Sequence, residues 1–243
     1  MLLARLDRGQ TVDLRGHGHA GSGLMLTLRA FAAALASRRD LDLIQWSLAP
    51  TSANAELTAF LRIGRNPIER ASRPLQPQVV LVADEATAEE TDFAEGTSSG
   101  LYVLGTALSP LDAARRFRLG GTVVTVSSSA LAVERLGSSQ ASVAVLAALT
   151  RSLPLVGEDA VREALEQRLR ERLLPERMLS AYLEHFDEAL GAVQRKEAPA
   201  SEATVHQGHA FRGWGKLPAG AQAAMRSSTK RTPSMVRSKQ SVG

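Results

Sequence analysis

Apolar residues recur about one helical turn apart at Leu24, Leu28, Phe31 and Leu35, and this spacing predicts a helix over residues 22–37. On either side the pattern shortens to strand length. TVDLR (11–15) reads as a short strand entering a glycine-rich turn. LDLIQWSL (41–48) and AELTAFLRI (55–63) read as two more, joined through the turn formers of APTSANA. QVVLVAD (78–84) is a continuous apolar run, as parallel strands buried on both faces are, and GLYVLGT (100–106) and GTVVTVSSS (121–129) repeat it. An acidic segment, 84–95, separates the first two of these. ALAVERLG (130–137) predicts a short helix closed by a glycine cap. From Gln140 onward only helical patterns follow: the apolar ASVAVLAALTRSL, the amphipathic DAVREALEQRLRERL (159–173), and PERMLSAYLEHFDEALGAV (175–193) with Pro175 at its first turn. Strands alternating with helices, then helices alone, predict an α/β domain: a mainly parallel sheet, flanking helices and a helical C-terminal part.

The periodicity ends at Val193. Residues 194–243 are rich in Ser, Ala, Gly, Pro, Lys and Arg, and such a stretch buries too little surface on its own to offset its ordering entropy. The organisation expected is therefore a domain over 1–193 followed by an extended basic arm over 194–243. Charge sharpens that division. The chain carries a net +4 at pH 7, but the arm holds nine Lys and Arg against two Glu, net +7, which leaves −3 on residues 1–193. A basic arm suits an acidic partner surface or nucleic acid. Its charges lack interleaved aromatics, which disfavours nucleic acid. Phe211 and Trp214, in AFRGWGKLPAG, are its candidate partner-binding anchors, because such rings are costly to leave in water. With 44% apolar residues, the domain can bury a substantial core.

The 243 residues include no cysteine, which excludes disulfides, cysteine-ligated clusters and thiolate catalysis on this polypeptide. Electron carriers, if the chain serves redox chemistry, belong to other chains. No apolar run approaches the ~20 residues of a membrane span. The opening MLLARLDRGQ lacks the apolar core of a secretory signal, so a cytoplasmic protein is expected.

The candidate chemistry sits in DLRGHGHAGSGLML (13–26). Gly16, Gly18 and Gly21 form a GxGxxG frame between a strand and a helix, where backbone N–H groups and the helix dipole favour an anion. The residues in question are Gly16, His17, Gly18, His19, Gly21 and Ser22. Tight strand-to-helix packing explains the same glycines without a ligand. A dinucleotide site would need an acid some 20 residues on, at the end of the next strand. The strand over 41–48 runs instead into Ser47, Leu48, Ala49 and Pro50. His17 and His19 form an HxH pair, but no carboxylate cluster nearby completes the three or four ligands of a metal site, so no metal is expected and the two read as exposed polar residues of the turn. Ser127, Ser128 and Ser129 lack a His–Asp relay and suit helix capping. Asp84 and Glu85 could act as acid or base, with no second carboxylate tied to them by spacing. On these residues alone a stand-alone nucleotide- or anion-binding module and a nucleic-acid-associated protein acting through its arm both remain open.

Taken in order, several blocks resemble the gamma subunit, or gamma domain, of the thiamine-diphosphate-dependent 2-oxoacid:ferredoxin oxidoreductases of the pyruvate synthase type, over roughly residues 11–193. RGHGHAGSG stands where that family has RGRGGQG, and ELTAFLRIGRNPI (56–68) is similar to its hydrophobic–Arg–hydrophobic strand, turn and -PI. QPQVVLVAD (76–84) resembles its -PDYVIVQD, and EGTSSGLYVLGT its EGLKDDGIIIIN. The stretch from TVVTVSSS to DAVREAL is similar to the one leading into its packed helix. In the arm, FRGWGKLPAG and TKRTPSMVR resemble the leader of the ferredoxin-like delta domain, without the cysteines that should follow.

The resemblance implies a subunit with no catalytic residues and no cofactor of its own, working beside alpha-, beta- and ferredoxin-like delta-type subunits. Those partners would hold thiamine diphosphate, Mg and iron–sulfur clusters, with the gamma subunit covering the thiamine diphosphate site and, in some members, helping to hold coenzyme A. Three departures bear on coenzyme A. His17 replaces an arginine, His19 and Ala20 replace Gly and Gln, and the loop TSANA (51–55) replaces an arginine-rich stretch. Ser142 stands where asparagine is usual. Arginine is the always-charged, bidentate partner of phosphate, and a histidine largely neutral near pH 7 replaces it poorly. A weakened or lost coenzyme A site is therefore expected.

Overall fold

The computed structural model describes residues 2–48, 56–69, 72–127 and 142–198. A seven-stranded sheet runs through them, built from β1 (Val12–His19), β2 (Asp42–Ser47), β3 (Glu56–Gly64), β4 (Val79–Val82), β5 (Gly100–Gly105), β6 (Gly121–Val126) and β7 (Gln194–Ala198), in the order β2-β3-β1-β4-β5-β6-β7. The α/β fold with its flanking helices is as expected, and the sheet is mixed around a parallel centre. β1, β4, β5 and β6 pair in parallel, whereas β3 runs antiparallel to both β1 and β2, and β7 antiparallel to β6. The parallel strands are the continuous apolar runs: Val79, Val80, Leu81 and Val82 are all fully buried. β7 lies where the sequence places the start of the basic arm, and its QRKEA carries no apolar alternation to reveal a strand.

The helices are α1 (Leu2–Asp7), α2 (Leu24–Ala36), α3 (Glu85–Glu90), α4 (Pro110–Phe117), α5 (Ser142–Ser152), α6 (Glu158–Arg170) and α7 (Glu176–Ala192). α2 and α5 pack on one face of the sheet, with α6 against α2 and α7 against α5. α5 is apolar all round because it is covered all round: Val143 to Leu149 are at most 1% exposed. Leu24, Leu28, Phe31 and Leu35 are fully buried, as their spacing predicts. The opposite face carries α3 and α4 over a smaller core of Val80, Val82, Phe93, Tyr102 and Leu104. α4 has a start signal in the sequence: Ser109 accepts a hydrogen bond from the Asp112 N–H, with Pro110 at the first helical position. Pro175 likewise precedes α7.

One ion pair ties the early strands together. Arg62, the arginine of the hydrophobic–Arg–hydrophobic block, grips both oxygens of Asp13 across the β1–β3 pair (2.6 and 3.1 Å) and lies over the Trp46 ring. The predicted helix over 130–137, the APTSANA loop, Phe211 and Trp214 lie outside the described residues. No helix among those described is long and apolar enough to cross a membrane.

Candidate functional site

β1 sits where the chain reverses its progress across the sheet: β3 and β2 lie to one side, β4 and the later strands to the other. In open α/β sheets such a switch point, at the carboxyl end of the strands, is where ligands bind. The segment from Gly18 to Gly23 is at that end.

The glycine frame is not one turn. Gly16 and Gly18 lie within β1, under α2: a Cβ at Gly16 would stand 2.9 Å from Leu24 Cδ1, and one at Gly18 2.6 Å from Ser22 Oγ. They allow helix and strand to approach. The turn itself is Ala20–Gly23, closed by the Ser22 N–H donating to the His19 carbonyl (3.0 Å), with Gly21 at φ 92° and Gly23 at φ 81°. Gly21 opens onto free space. Gly23, outside the GxGxxG count, touches Ser142 at the first turn of α5. The N-termini of α2 and α5 therefore meet at this loop. Thr27 reinforces the contact by donating to the Ser142 carbonyl (2.7 Å), and Ser142 Oγ is buried with no partner.

The histidines correct the sequence reading. His17 is not an exposed turn residue: it lies in β1, 6% exposed, with Nδ1 2.8 Å from Glu56 Oε1 on β3, and Thr58 donates to the same oxygen (3.2 Å). Its Nε2 is buried without a partner. Burial lowers the His17 pKa from its ordinary 6.5, the Glu56 hydrogen bond pulling the other way. That same bond lowers the Glu56 carboxyl below the usual carboxylate value, with burial opposing. A neutral imidazole donating from Nδ1 to an ionised carboxylate satisfies both directions. His19 stands half-buried near Glu90, 3.7 Å away. Ser22 is buried, its Oγ accepting from the Leu24 N–H at the start of α2 (3.4 Å).

The shifts set a pH dependence. Folded His17 holds its proton less tightly than the unfolded chain, so stability falls as pH drops below about 6.5; Glu56 adds a loss as pH falls through its lowered folded value. His17→Gln should flatten the upper part of this decline, between about pH 6.5 and 5, in thermal unfolding followed across pH. Parallel curves for variant and wild type would refute the assignment.

The neighbouring charges are engaged elsewhere. Arg15 is fully buried, Nη2 donating to the carbonyls of Phe93 (2.8 Å) and Glu95 (2.6 Å) on the face away from α2, and burial lowers its pKa. Asp84 caps α3 by accepting from the Thr87 N–H (2.8 Å), and Glu85 accepts from Thr106 and pairs with Arg116. Among the described residues no three His, Asp or Glu gather in a way that could hold a metal. Sequence reasoning missed Gly23, Glu56 and the structural use of Arg15. For Gly23 the GSG triplet was the available signal; Glu56 is 39 residues from its partner.

The model of the family described as pyruvate ferredoxin/flavodoxin oxidoreductase matches residues 13–192, from β1 to the end of α7. The chain belongs to this family. It is 25% identical over 158 residues to the pyruvate/ketoisovalerate oxidoreductases common subunit gamma of Thermococcus kodakarensis, covering 64% of this chain and 85% of that one. Identity to pyruvate synthase subunit PorC of Methanosarcina barkeri is 22% over 154 residues, 63% of this chain and 84% of the relative. The crystal structure of pyruvate oxidoreductase subunit PORC from Thermotoga maritima matches with a TM-score of 0.63 at 21% identity, over 77% of this chain and 99% of that one. A 2-oxoglutarate:ferredoxin oxidoreductase from Magnetococcus marinus, solved with 2-oxoglutarate, coenzyme A and succinyl-CoA bound, matches with a TM-score of 0.56 at 17% identity, over 82% of this chain and 32% of that one. The structural matches establish the fold that the family shares.

Proposed function

We propose that the chain is the gamma subunit of a multi-subunit 2-oxoacid:ferredoxin oxidoreductase, acting without catalytic residues of its own and covering the thiamine diphosphate site held by alpha- and beta-type partners. The observation that carries this reading is the extent of the match: the family model spans β1 to α7, and relatives named as gamma subunits are covered over 85% of their length. The lack of cysteine agrees with it, since the clusters of such an enzyme would then reside on other chains. When bound to those partners, thiamine diphosphate supplies the chemistry of 2-oxoacid decarboxylation. This chain's part is to dock and to exclude water.

The loop residues fit coenzyme A poorly. A phosphate at the junction of α2 and α5 would find helix N-termini and the space left by Gly21, but the arginine that β1 contributes is turned away from it. Arg15 is spent on Phe93 and Glu95, and the side chain at position 17 turns toward Glu56. With a histidine at position 17 and Arg15 spent elsewhere, β1 brings no permanent cation to a polyanion there, and the helix dipoles are a weaker substitute. We therefore take the coenzyme A site as weakened, which suits a member releasing CO2 or a free acid, or using an unusual 2-oxoacid. Native mass spectrometry of the endogenous protein, purified gently without oxygen, should find larger subunits carrying thiamine diphosphate and iron–sulfur clusters, with turnover insensitive to coenzyme A. A lone 25.9 kDa species would overturn the subunit reading, and saturable dependence on coenzyme A would overturn the weakened site.

A further inference from the structure

The two edges of the sheet are treated differently. β7, at one edge, exposes Arg195, Lys196 and Glu197, charges of the kind that discourage pairing with another strand. β2, at the other, is DLIQWS, with neither Lys nor Pro. Its only strand neighbour among the described residues is β3. Leu48 donates its N–H to the Thr58 carbonyl (2.9 Å), continuing the register in which Ser47 faces Ala59. Bonded and non-bonded pairs alternate along an antiparallel ladder, so Ile44 and Trp46 bond inward to β3, while Leu43, Gln45 and Ser47 point their N–H and C=O groups outward. The Leu43 N–H is taken by the Asp42 carboxylate (3.0 Å). Among the described residues, the backbone groups of Gln45 and Ser47 find no partner along the edge.

Behind that edge lies a cleft between β2, α2 and α6, lined by Arg29, Gln45, Arg168 and the small Ala32, Ala33 and Ala36. Gln45 Nε2 and Arg168 Nε are buried in the protein with no hydrogen-bond partner, while Arg168 Nη1 holds Glu171 (2.9 Å). Arg29 is exposed on α2. The lining holds no carboxylate. Orphaned donors and two guanidinium groups beside an open strand edge call for an anion that arrives along that edge. A second copy of this chain does not supply it: two β2 strands paired about a twofold axis would bring Arg29 and Arg168 of both copies together.

We propose that β2 is a docking edge for an extended segment of a partner subunit, which adds to the sheet as an eighth strand and places an Asp or Glu side chain into the Arg29–Gln45–Arg168 cleft. The proposal rests on the subunit reading above. A residue of the added strand opposite Gln45 projects to the same face as Gln45, so its carboxylate meets the orphaned donors. The alternate residues lie beside Ile44 and Trp46, which are half-buried on the other face.

Amide hydrogen exchange at single-residue resolution, on the full chain alone and in the natively purified complex, tests this. The Gln45 and Ser47 amides should exchange freely in the isolated chain and slow by at least roughly tenfold in the complex, while Ile44 and Trp46 are slow in both. The double variant R29E/R168E should weaken the complex by at least about tenfold at low salt and leave the Gln45 and Ser47 amides exposed. Ser47→Pro, which removes an outward N–H that bonds nothing among the described residues, should likewise weaken the complex and leave the Gln45 amide exposed, while circular dichroism and Tm match the wild type. Unprotected Gln45 and Ser47 in an intact complex would overturn the proposal and leave the subunit reading standing. Protection already present in the isolated chain would also overturn it, in favour of this chain's own residues if removal of 199–243 abolishes it, or of a second copy if it depends on concentration. The absence of any complex would remove both readings.

Discussion

Arg15→Met is expected to lower the stability of the chain by about 2–3 kcal/mol, seen as a fall in Tm of roughly 5–10 °C for a domain of this size. The reasoning starts from what the guanidinium does. Arg15 is 2% exposed, and its Nη2 bonds two carbonyls, of Phe93 and Glu95, in the segment linking α3 to β5. Methionine fills similar volume and removes the cost of burying a charge, which alone would favour the variant. Against that, both carbonyls stay in place without a donor, and each unsatisfied buried group costs about 1–3 kcal/mol. The loss outweighs the relief because the partners are backbone and remain. Arg15→Lys, with a compact ammonium in place of a planar fork, should recover only part of the loss. Amide exchange should rise first between Asp92 and Thr97, the stretch that Arg15 pins. A Tm unchanged in Arg15→Met would mean that water satisfies these carbonyls and that Arg15 is not what holds the segment.

Arg15 also marks how far the fold can be read from the sequence. The helices of the main core and the buried strands were legible because each declares itself within a short window: Leu24, Leu28, Phe31 and Leu35 by their spacing, VVLV by its unbroken apolarity. Strand direction has no such local mark. Whether β3 runs with or against β1 depends on which edge it reaches, and the apolar pattern of ELTAFLRI is the same either way, so the sequence predicts the parallel centre and not the antiparallel pairings beside it. β7 was invisible because an edge strand of charged residues alternates nothing. At the candidate site the glycine spacing was legible but its meaning was not. A glycine that lets a helix approach a strand and one that turns the chain look alike in sequence, and only Gly21 and Gly23 take positive φ here. The sequence presents His17 as an exposed turn residue because its partner, Glu56, lies on a strand brought alongside only by tertiary structure.

Gly23→Val should cost more than any other single change in the loop, at least about 3 kcal/mol, and Gly21→Ala only about 1 kcal/mol. Both positions have positive φ, 81° and 92°, where a side chain is strained. The difference lies in what surrounds them. A Cβ at Gly21 meets nothing within 4 Å, so alanine there suffers only the conformational strain, partly offset by a less flexible unfolded chain. A Cβ at Gly23 would stand 2.3 Å from Ser142 Oγ and 3.6 Å from its Cβ. The hydroxyl can rotate away, but the second branch of valine cannot be accommodated without separating α2 from α5. That separation would stretch the Thr27 hydrogen bond to the Ser142 carbonyl and spread the two helix N-termini where an anion would sit. Ser142→Gly in the Gly23→Val background should restore part of the stability, and the size of that rescue isolates the contact from the backbone strain. If Gly21→Ala and Gly23→Val prove equally costly in thermal unfolding, contact with α5 contributes nothing and backbone strain alone governs the loop. If Gly23→Val is the costlier and Ser142→Gly rescues it, the close approach of two helix ends is what the second glycine of GSG maintains.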